Sequence, residues 1–507
     1  MTLPFTWREW ARLDALALAA LVRDRKVTAR EIAGQAATAV ELTNPSLGAV
    51  LEVFEDAVID PERSGARPGG PLFGVPMFWK DSGSGMAGRL RECGSLLTAG
   101  QRSDGDCPLT LNMRTAGLNI LGRSTLPEWG KTFDTTLAYQ GRLTITRNPW
   151  DLDRSPGGSS GGSAALVAAC VVPIAKTGDA AGSTRVPAAF TGLVGLKPSR
   201  GLLPPPTGTN ELTNHRIQEG VLTRTVRDQA AALDHMIRSH PGANLVPAAS
   251  PPPGAYSEVI QRPPRPLRVA LSTGPWGRPG QCHPTVASRI RQVGQLLSDL
   301  GHHVDEVNDD QQICTWEPFW HDIATGWIAG AGYWLDLAER RRWSRSDLET
   351  HLTPQNRNLL RAYDQLTLRE FKNALNGNAR STREVGAYFQ TVDVLLCPVF
   401  PELVPAANGP YSLLNPDPFT TWFDRLLSGM RYTVLGNETG IPGLAVPAGL
   451  DQHGLPVGAM LYSAHHHDGL LLQLATQLQA AQPDWYTTTS LLNRGVDVQH
   501  VSGCGRP

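Results

Sequence analysis

The stretch that most narrows what this chain can fold into is "SPGGSSGGSAALVAAC" at 155–170. Four glycines and four serines occupy the nine positions from Ser155 to Ser163, and a twelve-residue apolar run, Ala164 to Ala175, follows at once. Gly/Ser tracts behave as flexible coil when they separate domains. A chain that passes directly from glycines into a buried element is instead shaping a loop against its own core. The serines in that loop become candidates for chemistry, and each needs a base.

Strand and helix patterns alternate through the rest of the chain. Residues 11–43 read as helical, and Thr28-Ala29-Arg30-Glu31 supplies a capping box, whose hydroxyl and carboxylate satisfy free N–H groups at a helix start. The segments "AVLEVF" (49–54), "LFGVPMFWK" (72–80), "GLNILG" (117–122) and "VDVLLCPVF" (392–400) read as strands. Val286, Ile290, Val293, Leu297 and Leu300 keep helical spacing between "LRVALS" (267–272) and "HHVDEV" (302–307), a strand–helix–strand unit. This alternation predicts an α/β fold, with helices on both faces of a sheet. The proline-rich segment 241–266 reads as a surface loop inside one domain spanning 1–507, and no internal repeat is evident.

Composition excludes several function classes. Hydrophobic residues make up 41% and charged residues 18%, and the formal net charge is -1, which gives no electrostatic reason to expect nucleic acid or an anionic membrane. No apolar run approaches the roughly 18 residues of a membrane span. The stretch "ALALAALV" (15–22) follows Glu9 and Asp14 without a small-residue cleavage site, so it reads as an amphipathic helix and not as a secretion signal. Seven scattered cysteines with no C-x-x-C argue against a disulfide framework and for a cytoplasmic location.

Two overlapping G-x-S-x-G matches centre on Ser159 and Ser160. A nucleophile elbow needs a strand running straight into the turn, and the preceding "NPWDLDRSP" cannot be one. A phosphate loop fails too, because no Lys-Ser/Thr pair closes the glycine run. A second small-residue turn, "TGDAAGSTRVPAAF" (177–190), follows twenty-four residues after Ser159. Small residues at 180–182 let successive N–H groups approach one oxygen, and Ser183 at the end of the turn is placed to attack a carbonyl held there. Asp179 and Arg185 flank the turn and can brace it as an ion pair. No histidine lies near either turn in sequence. "GVPMFWKD" offers Lys80 instead, behind five apolar residues, and burial lowers a lysine pKa towards the range where it accepts a proton.

With these residues in view the chain resembles the amidase signature hydrolases. The resemblance is carried by "GVPMFWKD", "GRSTLPEWG" (122–130), "NPWDLDRSPGGSSGGSAALVAA" (148–169) and "GDAAGSTRVPAAFTGLVGLKPSRG" (178–201), and continues in "GVLTRTVRD" (220–228), "NETGIPGLAVPAG" (437–449) and "GLPVGAMLY" (454–462). It implies a large mixed twisted β-sheet covered by helices on both faces. It also implies an amidase that cleaves a carboxylic amide C–N bond through a Ser–cisSer–Lys triad. By motif position, Ser183 is the nucleophile, Ser159 the relay serine reached through a cis peptide from Gly158, and Lys80 the base. The oxyanion hole falls to the backbone N–H groups of Ala180, Ala181, Gly182 and Ser183. The family commonly has glycine where Ala181 stands and an aliphatic residue where Thr184 stands. The resemblance implies a small-molecule amide substrate, possible side esterase activity and no cofactor, and homodimers are common in the family. Two other readings share these motifs: the amidase subunit of an aminoacyl-tRNA amidotransferase complex, and a non-catalytic binding protein on the same scaffold. "STLPEWG" favours a free-standing enzyme.

Three further features read as structural. Adjacent histidines in "HHHD" (465–468) rarely converge on one ion, so this run is expected to be a surface loop and not a metal site. Trp316, Trp320, Ile323, Trp327 and Trp334 fall near one helical face, a pattern of core more than of substrate wall. Cys314, beside them, reads as a buried thiol.

Overall fold

A computed structural model of the chain describes residues 3–139, 141–206, 215–238, 240, 254–307 and 309–487. The N-terminal segment forms three helices, Trp7–Arg12, Ala15–Arg23 and Ala29–Leu47. The expected continuous run breaks where Asp14 caps the second helix by accepting the Ala17 N–H. The capping box at Thr28 forms as expected, with Thr28 N–H on the Glu31 carboxylate at 2.8 Å and Glu31 N–H on the Thr28 hydroxyl at 3.2 Å.

The strands in chain order are β1 (Val50–Val53), β2 (Pro76–Lys80), β3 (Asn119–Ser124), β4 (Thr136–Tyr139), β5 (Arg142–Ile145), β6 (Ile174–Asp179) and β7 (Val194–Lys197). They continue with β8 (Gln218–Thr223), β9 (Arg268–Leu271), β10 (His303–Glu306), β11 (Val394–Pro398), β12 (Gly443–Leu450) and β13 (Pro456–Ser463). Eleven of them make one sheet in the order β1-β3-β2-β6-β8-β7-β12-β13-β11-β9-β10, while β4 and β5 pair separately. Pairing is parallel for β2 with β3 and β6 and for β9 with β10 and β11, and antiparallel elsewhere. The central strands are buried along nearly their whole length, as strands covered on both faces must be. A hydrophobic cluster runs from Trp10 to Tyr486. The expected strand–helix–strand unit is present as β9, the helix Pro284–Asp299 and β10.

The apolar run that opened the sequence reading divides in two. Gly161–Ala168 is a helix buried at all eight residues, and after a turn at Cys170 the chain enters β6 at Ile174. Small residues are needed here because the helix lies directly on β3's end. A Cβ on Gly162 would come within 2.5 Å of the Thr125 backbone nitrogen. The first half of the proline-rich segment, 241–253, lies outside the described residues, and its remainder contains the short helix Ala255–Val259.

Candidate active site

Lys80 is the last residue of β2, which lies between β3 and β6 and is buried throughout. The side chain therefore begins inside the protein, and its Nζ meets Ser159 Oγ at 2.8 Å, Ser160 Oγ at 2.9 Å and the Gly178 carbonyl at 3.3 Å. Burial, and next the Lys176 ammonium, bring this amine down from 10.5 to about 7. Lys176 itself is fully buried on β6 in an ion pair with Glu219 of β8. It also donates to the Ser82 carbonyl, while Glu219 accepts the Ser84 N–H at 2.9 Å. The pair thus fastens the loop that leaves Lys80.

Ser159 follows a cis peptide bond from Gly158. A Cβ on Gly158 would lie 2.7–2.9 Å from backbone atoms of Thr132, Phe133 and Asp134, so the chain here is pressed against another segment. Ser183 sits in the turn between β6 and the helix Arg185–Thr191 and is 4% exposed. Asp179, at the end of β6, organises that turn. Its carboxylate accepts the N–H groups of Gly182 at 2.6 Å and Thr184 at 3.2 Å, and both oxygens meet the Arg185 guanidinium at 2.9 Å.

Arg185 spends its remaining donors on the Thr433 carbonyl and Tyr462 hydroxyl, each at 2.7 Å, and on Asn437 Oδ1 at 2.6 Å. Burial alone would raise the Asp179 carboxyl, but the Arg185 charge and the hydrogen bonds from Arg185 and Asn437 together outweigh it and hold the group at about 2. The expected brace is therefore a buried, fully engaged ion pair.

The turn has a geometry the sequence did not give. Gly182 has φ 128, and a Cβ there would meet Thr433 Oγ1 at 2.6 Å, so glycine is required on both grounds. Ala181 does not have positive φ, and its carbonyl accepts the Thr433 hydroxyl. Of the four N–H groups expected to face an oxyanion, that of Gly182 turns inward to Asp179. Those of Ala180, Ala181 and Ser183 have no hydrogen-bond partner among the described residues. Among the same residues no hydrogen bond joins Ser159 to Ser183, while Ser159 is held by Lys80. Hydrogen bonds of this kind are commonly long before substrate binds.

The described structure therefore assembles a neutralisable lysine, a serine on its amine, a second serine in a turn with free N–H donors, and a buried ion pair bracing that turn. A protein-family model described as Amidase matches residues 31–472. The chain belongs to the amidase signature family. The 6-aminohexanoate-cyclic-dimer hydrolase of Paenarthrobacter ureafaciens is 31% identical over 502 residues, covering 95% of this chain and 97% of that protein. A solved 6-aminohexanoate cyclic dimer hydrolase superposes with TM-score 0.85 at 29% identity, over 96% of this chain and 99% of the other, and it has also been solved in complex with substrate. A bacterial aryl acylamidase shares the fold, with TM-score 0.81 at 23% identity over 95% and 99% of the two chains.

Other residues of this amidase signature chain fall into place around that centre. Ser160 was visible as the second G-x-S-x-G match, but its contact with Lys80 was not foreseen. Lys176 could have been suspected from a charge that directly follows the twelve-residue apolar run Ala164 to Ala175. Thr433, Asn437 and Tyr462 lie some 250 residues beyond the turn they support; Asn437 and Tyr462 fall in the segments 437–449 and 454–462 that carry the resemblance, but nothing local ties any of the three to this turn. Trp316 stacks on Trp276 with centroids 5.1 Å apart, and Trp320 donates to the Trp276 carbonyl at 2.6 Å, so this part of the tryptophan stripe is core. Trp327 and Trp334 are also buried but flank Lys131.

Cys314 is buried, its thiol is pushed up by burial and then by the Glu384 charge, and it contacts that carboxylate at 3.4 Å. The "HHHD" run forms the turn between β13 and the helix Asp468–Ala481, with Asp468 taken up by the Ser199 N–H and hydroxyl at 2.8 and 2.6 Å. Among the described residues no group of three His, Cys, Asp or Glu side chains is placed to hold a metal ion, and no helix is long and apolar enough to cross a membrane.

Proposed function

We propose that this amidase signature amidohydrolase works through a Ser183 acyl-enzyme, with Ser159 as relay and Lys80 as base. Neutral Lys80 takes the Ser159 proton as Ser159 takes that of Ser183, and Ser183 Oγ bonds to the amide carbon. The oxygen of the tetrahedral adduct is met by N–H groups of Ala180, Ala181 and Ser183, where charge develops. The C–N bond then breaks, the relay returns the proton to the departing amine, and water releases the carboxylic acid by the reverse path. Water is the co-reactant, supplying the hydroxyl of the acid and the proton gained by the amine. Asp179 and Arg185 position the turn and touch no reacting atom. The substrate is a small-molecule amide, as the activities of its relatives suggest. The described cysteines are free thiols, which suits a reducing, cytoplasmic setting.

The observation that carries this reading is the 2.8 Å contact between Ser159 and a lysine amine brought to about 7. Its test is the division of labour between the serines. Ser183→Ala should abolish both anilide turnover and labelling by a fluorophosphonate probe while the protein stays folded by circular dichroism. Ser159→Ala should slow both by ~10²–10⁴, the range for losing a positioned proton-transfer group. Equal residual rates in the two variants would reject the assignment.

A further inference from the structure

Beside the serines stands a cation that the mechanism does not use. A Cβ on Gly130 would lie 2.9 Å from Ser159 Oγ, so residue 130 packs against the relay serine. Consecutive Cα atoms are 3.8 Å apart, which puts the Cα of Lys131 within about 8 Å of that oxygen. Lys131 is half-buried; its backbone N–H donates to the Glu128 carbonyl at 3.3 Å, but among the described residues its ammonium makes no hydrogen bond and no ion pair. Its Nζ instead lies over the rings of Trp327, at 5.0 Å from the centroid, and Trp334, at 5.8 Å. It sits so close to the helix end that a Cβ on Gly330 would be 2.8 Å away. Burial, then the Arg216 charge, push its amine down to about 8. Arg216 is itself paired with one oxygen of Glu438; the other oxygen of that carboxylate makes no hydrogen bond among the described residues, and it forms no ion pair with Lys131.

The surrounding wall has the same imbalance. The buried indole N–H groups of Trp129, Trp327 and Trp334 have no acceptor among the described residues, and Trp129 packs edge-on to Tyr333 at 5.5 Å. A buried donor without an acceptor, and an ammonium without a counter-ion, are both costly. Aromatic faces offset part of the ammonium's lost hydration but supply no acceptor oxygen. Something that enters from the reaction side with anionic oxygen would complete the set. A second amine cation would be repelled, and a purely apolar group would desolvate Lys131 further.

We propose that Lys131, framed by Trp327 and Trp334, is an anion subsite, and that the amides this chain takes carry a carboxylate a few bonds from the scissile carbonyl. The inference rests on the hydrolytic reading above and names the substrate class for that same site. Glutaric mono-p-nitroanilide and pentanoyl p-nitroanilide differ by a carboxylate in place of a terminal methyl, and adipoyl and suberyl homologues extend the reach.

The wild-type enzyme should favour the acid of each matched pair by at least about tenfold in kcat/KM. Lys131→Met and Lys131→Gln should lower that ratio by about tenfold or more, chiefly through KM, and Lys131→Arg should keep most of it. A purely structural role would change both substrates alike and leave the ratio still. Wild-type preference for the neutral anilide, or a ratio unmoved in both Lys131→Met and Lys131→Gln, would overturn the proposal. A second measurement stands apart from turnover: tryptophan fluorescence of Ser183→Ala protein titrated with the same two anilides. Lysine-dependent tighter binding of the acid supports the subsite even if no amide is hydrolysed. Hydrolysis through Ser183 with equal binding of the two leaves the catalytic reading standing and removes this one.

Discussion

A lysine serves as base only when it is neutral, so Lys80 ties the mechanism to a pH profile. Its amine is brought to about 7 by burial and by Lys176. The sign follows: the base-competent form is present above that value and is lost as pH falls through it. At pH 5 roughly 1% of such an amine is neutral, and at pH 8 roughly 90%. A lysine left at the ordinary 10.5 would be only ~0.3% neutral at pH 8, so the two cases differ about 300-fold in competent enzyme.

The assay is kcat/KM for a neutral anilide from pH 5 to 10, alongside the rate of fluorophosphonate labelling, because both report the free enzyme. The expected profile rises with unit slope, has its midpoint near 7 and levels above pH 8. Replacing the buried pair together, Lys176→Met with Glu219→Gln, removes the cation that most disfavours charge on Lys80. It should move the midpoint upward, since Glu219 acts on Lys80 in the opposite direction but more weakly. A midpoint near 10 in the wild type, or a flat profile between pH 5 and 9, would refute the neutral-lysine step.

Two further outcomes follow from the oxyanion turn. Arg185→Met leaves Asp179 buried without its charge partner and should cost about 3–5 kcal/mol in urea unfolding, whereas Arg291→Met, which breaks the exposed pair with Glu306, should stay within about 1 kcal/mol. Ala181→Gly should lower Tm, because φ there is not positive and the substitution adds about 0.4–1 kcal/mol of unfolded-chain freedom. A rise in Tm would show that alanine is strained at this position.

What the sequence disclosed was what local backbone chemistry demands. Thr28 and Glu31 announced a helix start because capping is an interaction across three residues. The strands at 50–53, 76–80 and 394–398 were legible because their apolar runs are short and bounded by turn residues. Strand order was not legible. Parallel neighbours such as β2 and β6 are separated by the whole serine-glycine region, and β7 pairs with β12 across some 250 residues. Nothing in either strand alone specifies its neighbour, since long-range pairing is decided by the packing of both faces.

The same distinction explains which parts of the site could be read. Ser159, Ser183 and Gly182 stood out because turns that bring backbone to a reacting atom need small residues in succession. Asp179 and Arg185 stood out because they flank such a turn. Thr433 and Asn437 reach the turn from far along the chain, Thr433 through its carbonyl and hydroxyl and Asn437 through both ends of its amide, and nothing in their own neighbourhood points to that distant turn. Lys131 is the sharper case. Its position beside "LPEWG" was in plain view, yet in sequence it is one surface-type residue among many. What distinguishes it is the lack of an anionic partner at a place where Trp327, Trp334 and Gly330 close around its amine. Residues that build a turn are therefore visible in one dimension, while a residue that waits for its partner becomes visible only when its surroundings are assembled.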